Sequence, residues 1–358
     1  MNQHSHWSQV FLQGDKQKAA LFLVPQNRRY LTDFPSSDGA VLLTSEMVYL
    51  LVDFRYFEAA QKQAKNCKVL RYDSLNEKIT ELLKKHGIKE VHFESENLSV
   101  ADFKRLEKSC FAAGADAISD GSLDREIMTL RSVKTNEEIQ KIEESQAITD
   151  AAFTHILPFI KEGITEREIA LEIEIFMRRQ GAEAVAFELI VVSGKNSSLP
   201  HGVPSDKIVQ RGDFITMDIG ALLNGYHSDM TRTVAVGEIS ERQKDVYYTV
   251  LNAHLAVIEA LKPGVKCADM DKLARGIIDK KYPGAFGHGL GHGVGLDIHE
   301  EPRFSRFSSA VCQPGMVITD EPGIYLPNEF GVRIEDMLLV TQEGCRSLTK
   351  SPKELILL

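Results

Sequence analysis

The chain has 358 residues, of which 43% are hydrophobic and 26% charged, and its formal net charge is -9. This composition is ordinary for a globular protein with room for two domains, and no segment approaches the roughly 18 consecutive apolar residues of a membrane helix. The negative charge, with no basic stripe to offset it, excludes nucleic acids and anionic membranes as expected partners.

The amino-terminal sequence and the cysteines predict a cytoplasmic protein. The opening MNQHSHWSQV has no basic region followed by an apolar run, so we expect no signal peptide. His4 and His6 in this stretch are expected to belong to a loose terminus and not to a metal site. The five cysteines are odd in number and scattered without a CxxC pair, which is typical of reduced thiols inside the cell.

Residues 19–119 alternate short apolar runs with helical patterns, which predicts an α/β layer. A capping box, Ser74 with Glu77, marks the start of one of the helices. The predicted strands cover residues 19–24, 39–44, 47–53, 67–72, 89–94 and 114–119, and the predicted helices cover residues 55–66, 74–87 and 99–110.

Beyond a predicted connection at residues 120–134, one pattern occurs twice: two helices, then a hairpin that carries two acidic residues. Capping boxes mark three of the four helix starts. The repeat predicts an α/β amino-terminal domain, residues 1–124, and an α+β carboxyl-terminal domain, residues 125–358, with pseudo-two-fold symmetry. The elements of the repeat are helices over 135–157 and 165–180 with a strand over 183–193, then helices over 240–261 and 267–281.

The hairpin of the first half carries Asp218 and Asp229. Asn224 and Gly225 form the dipeptide preferred in a two-residue primed turn, and this turn sets a register in which Asp218 faces Thr231. Asp229 then lies on the same face as Asp218 and diagonal to it, roughly 7 to 8 Å away at the backbone. The two carboxylates are therefore expected to converge.

The hairpin of the second half carries Glu321 and Glu335, which are equidistant from Asn328 and so are expected to face each other across the ladder. Before it comes a glycine-rich segment, residues 287–300, with the sequence GHGLGHGVGLDIHE. Its histidines are candidate metal ligands, since imidazole coordinates metal well when acidic partners are near; the alternative is a flexible glycine loop with incidental histidines. The candidates in this segment are His288, His292 and His299.

Charge favours two metal ions over one. Four carboxylates packed together without cations would repel and take up protons, whereas two divalent ions balance four negative charges. A dinucleotide site is excluded because the glycines lack the GxGxxG order after a buried strand, and a serine nucleophile because no GxSxG elbow is present. Oxygen ligands with one nitrogen and no thiolate favour Mn2+ or Co2+, with Fe2+ and Zn2+ as alternatives.

Several stretches resemble the pita-bread metallopeptidases, in the branch that holds aminopeptidase P and Xaa-Pro dipeptidase (prolidase). SDMTRT, GHGLGHGVGLDIHEEP, EPGIY and GVRIED occur in the family's order, and the likeness extends to NRRYLTDF, VDFRYFEAA and LRSVKTNEEI. The resemblance implies a creatinase/prolidase-type amino-terminal domain and a pita-bread (creatinase/aminopeptidase-like) catalytic domain. It also implies a homodimer in which the amino-terminal domain narrows the active-site entrance, often that of a partner subunit.

The same resemblance implies the site. Two divalent ions per chain are expected, with Asp229 and Glu335 bridging or nearly bridging them, and His201, His288 and His299 are expected to lie in the active site. Asp320 departs from the family pattern by placing a negative charge beside a ligand, which puts fine specificity in doubt. The metal ligands implied are Asp218, Asp229, His292, Glu321 and Glu335.

The predicted reaction is hydrolysis, by a water that bridges the metals, of the bond between an amino-terminal residue and proline in a dipeptide or a longer peptide. Arg303 is the candidate for binding the free carboxylate of a dipeptide, because a guanidinium binds carboxylates in a bidentate fork; its alternative is a surface ion pair with Glu300 or Glu301. The predicted catalytic residues are His201, His292, His299 and Glu321, and the predicted substrate-binding residues are His201, His288, His299, Arg303 and Arg333.

Two other classes compete with this function. Members of the fold that act without metal, such as creatinase, or that only bind peptides would be expected to have lost part of the ligand set, and all five ligands are present. A methionine aminopeptidase normally lacks the amino-terminal domain and has a different spacing from His292 to Glu321.

Overall fold

The computed structural model describes residues 3–358 of the chain. It divides into two compact units, Met1–Leu130 and Arg131–Leu358. The domain boundary predicted from the sequence, between residues 124 and 125, stays a prediction. Within the described residues, no helix combines the length and the apolar character needed to cross a bilayer.

The first unit is built on a six-stranded sheet with the order β4-β3-β2-β1-β5-β6. Alternate residues of its central strands enter two different apolar clusters, so both faces are buried, as the continuous apolar runs require. All six predicted strands are present. The strands are β1 (Lys18–Phe22), β2 (Ala40–Thr44), β3 (Val48–Val52), β4 (Lys68–Arg71), β5 (Glu90–Phe93) and β6 (Asp116–Ile118).

Three helices of this unit were not predicted. The expected loose terminus is wrong, because α1 buries Trp7 and Phe11 in the core and the ring of His4 contacts the Thr44 carbonyl at 3.1 Å. The predicted connection at residues 120–134 is also mostly helical, in α6. The helices are α1 (Gln3–Leu12), α2 (Pro25–Thr32), α3 (Phe54–Gln63), α4 (Leu75–His86), α5 (Val100–Ala113) and α6 (Ser122–Ser132).

The first half of the second unit follows the predicted order of elements, with one exception. The expected strand over residues 183–193 is broken into two short strands in different sheets, because the chain turns at residues 186–189. The elements are α7 (Asn136–Ile156), a 3-10 turn (Leu157–Phe159), α8 (Glu166–Arg179), β7 (Ala184–Val185), β8 (Ile190–Ser193), a 3-10 turn (Gly194–Ser198), β9 (Phe214–Ile219), β10 (Ala221–Leu223), β11 (Tyr226–His227) and β12 (Met230–Ala235).

The second half repeats this plan. Two helices again pack against a long hairpin, and each half has its own apolar cluster. All three predicted capping boxes of this unit are present, at the starts of α7, α8 and α9. The elements are α9 (Glu241–Ala260), α10 (Cys267–Ile278), β13 (Gly291–Gly293), β14 (Glu300–Phe304), β15 (Val317–Asp320), β16 (Gly323–Leu326), β17 (Phe330–Arg333), β18 (Asp336–Val340) and β19 (Cys345–Ser347).

Candidate active site

The aspartate hairpin, residues 214–235, has the predicted register. Asn224 and Gly225 have positive φ angles of 52° and 77°, as a primed turn requires, and Asp218 pairs with Thr231. The ladder is interrupted between its two sheets, and the same register continues on both sides of the break. Asp229 lies in this break and is buried, so its carboxylate is not committed to a regular face of either sheet.

The glutamate hairpin, residues 317–340, is interrupted in the same way. Asp320 pairs with Asp336 on one side of the break, and Gly323 pairs with Arg333 on the other. The prediction that Glu321 and Glu335 lie at opposed positions is confirmed by the register on both sides, although neither belongs to a strand. Their backbone N–H groups bond outside the hairpin, that of Glu321 to Leu290 and that of Glu335 to Thr231.

The glycine-rich segment contains a short strand packed between two others, so the alternative of a flexible loop is wrong at His292. His292 is the central residue of β13, which lies between β14 and β15. A Cβ on Gly291 would lie 2.0 Å from the Thr319 carbonyl oxygen, and one on Gly293 would lie 2.2 Å from that of Glu301. The glycines therefore allow the neighbouring strands to approach closely and fix the position of the His292 ring.

These elements bring donor atoms together at the centre of the second unit. One ligand atom from each of Asp229, His292 and Glu335 lies within 4.8 Å of the other two, and all three residues are buried. Nε2 of His292 also lies 3.5 Å from the nearer Glu321 carboxylate oxygen. Oδ2 of Asp218 accepts a 2.7 Å hydrogen bond from Arg333, while its buried Oδ1 has no hydrogen-bond partner.

The charges of this cluster fit cations. Burial and the neighbouring carboxylates raise the pKa of Asp229 and Glu335 well above their ordinary values, and raise that of Glu321 to about 8. Burial lowers the pKa of His292 to about 3, which keeps its ring neutral, the form that coordinates metal. The site therefore offers a donor set that suits divalent ions: crowded carboxylates, a neutral imidazole and the buried Oδ1 of Asp218, which has no hydrogen-bond partner.

One cavity of about 540 Å³ joins all the residues predicted for the site. The cluster Asp229, His292 and Glu335 is buried at its base, whereas His201, His299 and Arg303 are exposed along its walls. The ten predicted residues that line it are His201, Asp218, Asp229, His288, His292, His299, Arg303, Glu321, Arg333 and Glu335.

Arg333 is held by protein groups on every side. Besides Asp218, its guanidinium donates to the Thr231 hydroxyl at 3.0 Å and to the Tyr325 hydroxyl at 2.8 Å. The Tyr325 hydroxyl also lies 2.9 Å from Nε2 of His288. Arg333 therefore links the two hairpins and orients Asp218, and its predicted contact with substrate stays a prediction.

Asp320 does not face the cavity, so the expectation that it alters specificity has no support in the geometry. It points to the opposite side of β15, where it is fully buried with Asp336 and His254. Nδ1 of His254 lies 2.8 Å from Asp320, and Arg232 bonds to Asp336 at 2.7 Å. Sequence reasoning missed this buried network; the signal available was the acidic residue beside each glutamate.

Two further buried acids position the site, and no motif marks them. Glu166 at the start of α8 accepts hydrogen bonds from Ser193, Asn196 and Ser205, which fixes both ends of the loop that carries His201. Asp271 on α10 accepts from the N–H of Leu290 at 3.1 Å, within the glycine-rich segment. Both carboxylates act through backbone that is distant in sequence.

Comparison with known proteins agrees with this geometry. Residues 140–342 match metallopeptidase family M24, and residues 9–133 match the Creatinase/Prolidase N-terminal domain. The chain is 41% identical to a Xaa-Pro dipeptidase of Pyrococcus horikoshii over 90% of its own length and 89% of that protein.

Solved structures show the same fold over nearly the whole chain. A Xaa-Pro dipeptidase from Bacillus anthracis superposes with a TM-score of 0.93 at 40% identity and covers 99% of both chains. An X-Pro aminopeptidase from Thermotoga maritima has a TM-score of 0.90 at 35% identity and covers 95% of this chain and 97% of its own. The predicted pita-bread fold is confirmed, and the chain belongs to metallopeptidase family M24, with a creatinase/prolidase-type amino-terminal domain.

Proposed function

We propose that this metallopeptidase hydrolyses the bond between an amino-terminal residue and a following proline. The observation that carries the proposal is the convergence of all ten predicted polar residues on one cavity, with three of them close enough to share a cation. The similar proteins named as Xaa-Pro dipeptidases and as an X-Pro aminopeptidase support the same substrate class.

Membership of the family implies divalent metal ions, and we propose two per chain, Mn2+ or Co2+. Asp218, Asp229, His292, Glu321 and Glu335 would hold them. When bound, divalent ions act as Lewis acids and lower the pKa of water. Four carboxylates that line one cavity match the charge of two such ions.

The side chains around the cavity are assigned three further roles: general base, oxyanion stabilisation and substrate orientation. Glu321 is the proposed general base, which accepts a proton from the attacking water, and the Thr319 hydroxyl donates to its carboxylate at 3.3 Å. His201 and His299 are the exposed imidazoles on the walls, and we assign them to stabilising the oxyanion of the tetrahedral intermediate. His288, whose ring bonds to Tyr325, is assigned to orienting the substrate.

Arg303 is proposed to bind the carboxylate of a dipeptide. The predicted alternative, a surface ion pair, is absent among the described residues: Glu300 is buried and pairs with Arg131 and Lys134, and Glu301 accepts only from the Arg303 backbone N–H. Arg303 lies across the β13 to β14 ladder from His292 and lines the cavity with an uncommitted guanidinium. This favours a dipeptidase over an aminopeptidase for long peptides.

The experiment is hydrolysis of a peptide panel after removal of metal by a chelator. We expect Leu-Pro and Met-Pro to be cleaved once Mn2+ or Co2+ is restored, and Leu-Ala and Met-Ala-Ser to be cleaved poorly. Cleavage of Met-Ala-Ser in preference would indicate a methionine aminopeptidase. Full activity in metal-free protein would contradict the proposal in favour of a creatinase-like hydrolase.

We also propose a cytoplasmic homodimer. The large apolar side chains of Phe54, Phe111 and Phe307 are 71%, 84% and 83% exposed and are available to a partner subunit. Light scattering on the purified protein is expected to give twice the mass of one chain. A mass of a single chain at micromolar concentration would contradict the dimer.

A further inference from the structure

Glu188 is an acidic residue on the cavity wall to which the proposed mechanism gives no role. Its side chain is exposed and lines the same cavity as the ten predicted residues. Within the described part of the chain, its carboxylate has no hydrogen bond and no ion pair, whereas the exposed acids Asp38, Glu58 and Asp206 are each paired with an arginine or lysine. An unpaired carboxylate in a substrate cavity is available to a ligand.

Glu188 lies just before β8, on the side of the chain that faces the cavity. Leu189 points into the apolar cluster of the first half, so its neighbours Glu188 and Ile190 point the other way. Ile190 pairs directly with Asp218 across the β8 to β9 ladder. Glu188 therefore extends the wall on which Asp218 lies, two residues beyond the end of that ladder.

The charge balance of the cavity leaves two groups uncommitted. The carboxylates of Asp218, Asp229, Glu321 and Glu335 match two divalent ions, and Arg333 is enclosed by protein groups. Glu188 and Arg303 remain, with opposite charges, and they form no ion pair with each other within 4.0 Å. Glu188 lies just before β8 and Arg303 lies on β14, so the cavity carries an anionic and a cationic group on separate elements.

We propose that Glu188 selects substrates whose amino-terminal residue has a cationic side chain, lysine or arginine. The inference rests on the proposed function, in which Arg303 takes the carboxyl end of the substrate, so that the amino-terminal residue lies toward the other wall. Phe187 and Ile190 flank Glu188 in the cavity and supply apolar surface for the methylene stem of such a side chain. The carboxylate then receives its ammonium or guanidinium head.

The test compares lysyl-proline with norleucyl-proline, which have side chains of nearly equal length and differ chiefly in the ammonium group. With the metal-loaded enzyme, we expect kcat/KM to be about threefold to tenfold higher for lysyl-proline, the range of an accessible charge pair in a cavity. E188Q is expected to reduce this ratio to about one. E188K is expected to lower it below one and to raise kcat/KM for glutamyl-proline above that for norleucyl-proline. The preference should weaken as salt is raised from low to physiological concentration.

The matched control is E183Q, since Glu183 is an exposed glutamate of the same segment that does not line the cavity, and its ratio should equal that of the wild type. An equal fall of kcat/KM for all substrates in E188Q would overturn the inference, because Glu188 would then bind the α-amino group common to every substrate. A wild-type ratio of one would also overturn it. If the metal-loaded wild type cleaves neither lysyl-proline nor norleucyl-proline, the proposed function fails; if it cleaves both at equal rates, only the assignment of Glu188 fails.

Discussion

The aspartate hairpin and the glutamate hairpin both direct carboxylates toward the cavity, but the residue pairs that support these carboxylates differ. In both, the ladder keeps a single register across a break, and the break releases buried carboxylates toward the cavity. The ladder pair next to the aspartates is Ile219 with Met230, which is apolar, whereas the pair next to the glutamates is Asp320 with Asp336. One half of the site is thus supported by apolar packing and the other by charge.

The acidic pair depends on three basic residues. His254 lies between the two aspartates, and Arg232 and Lys353 each lie 2.7 Å from Asp336. Coulombic attraction to Asp320 and Asp336 raises the pKa of His254 to about 9 against the opposing effect of its burial. The glutamates are supported by a buried ion network, and removal of one member leaves an unpaired buried charge that destabilises the fold. The aspartates are supported by apolar packing, which tolerates substitutions that conserve volume.

The largest loss of activity should follow removal of the central metal-binding carboxylate from either hairpin. Asp229→Ala and Glu335→Ala each remove a central donor, so we expect activity to fall by at least about a thousandfold and metal content to drop from about two ions per chain. Metal analysis by plasma mass spectrometry, with steady-state kinetics, checks this. A fully active wild-type enzyme that contains no metal would contradict it.

The second-largest effect on activity should differ between the hairpins, because Glu321 is the proposed base and Asp218 only a proposed metal ligand. Glu321→Gln keeps the size and one oxygen donor but cannot accept a proton, so turnover is expected to fall by about a hundredfold to ten thousandfold with metal binding still detectable. Asp218→Asn is the matched change in the other hairpin and should act mainly through weaker metal binding. If both variants respond alike to added Mn2+, Glu321 is not the base.

Substitutions behind the two hairpins should differ in their effect on the free energy of unfolding. His254→Leu removes the imidazole between Asp320 and Asp336 and leaves Asp320 without its basic partner, and we expect a loss of about 3 to 5 kcal/mol in the free energy of unfolding. Met230→Leu, at the matching place behind the aspartates, nearly conserves volume and should cost less than about 1.5 kcal/mol. Denaturant unfolding of the two variants measures both; equal costs would remove the distinction between the hairpins.

The smallest effect concerns the cavity walls. Arg303→Ala should raise KM for dipeptides by about tenfold and leave tripeptides little changed, because only a dipeptide places a carboxylate directly after proline. Kinetics with Leu-Pro and Leu-Pro-Gly compare the two. An equal change for both lengths, or cleavage of long peptides without dipeptides, would assign the enzyme to the aminopeptidase P type.

Local chemistry in the sequence determined the elements that carry the site. The Asn224-Gly225 turn and the two-residue period of a strand set the pairing of Asp218 with Thr231, and three capping boxes set helix starts in the second unit. These features depend on residues within a few positions of each other. They could therefore be predicted without knowing what packs on them.

Tertiary structure alone decided which side chains meet. Arg333 from one hairpin holds Asp218 from the other, Glu166 fixes the loop of His201, and Asp320 faces His254 instead of the substrate. Glu188 lines the cavity from the irregular stretch before β8, where the packing of Leu189 in the apolar cluster of the first half sets its direction. Each of these depends on contacts between distant parts of the chain, where burial and charge pairing select the partner, and no pattern of neighbouring residues encodes that choice.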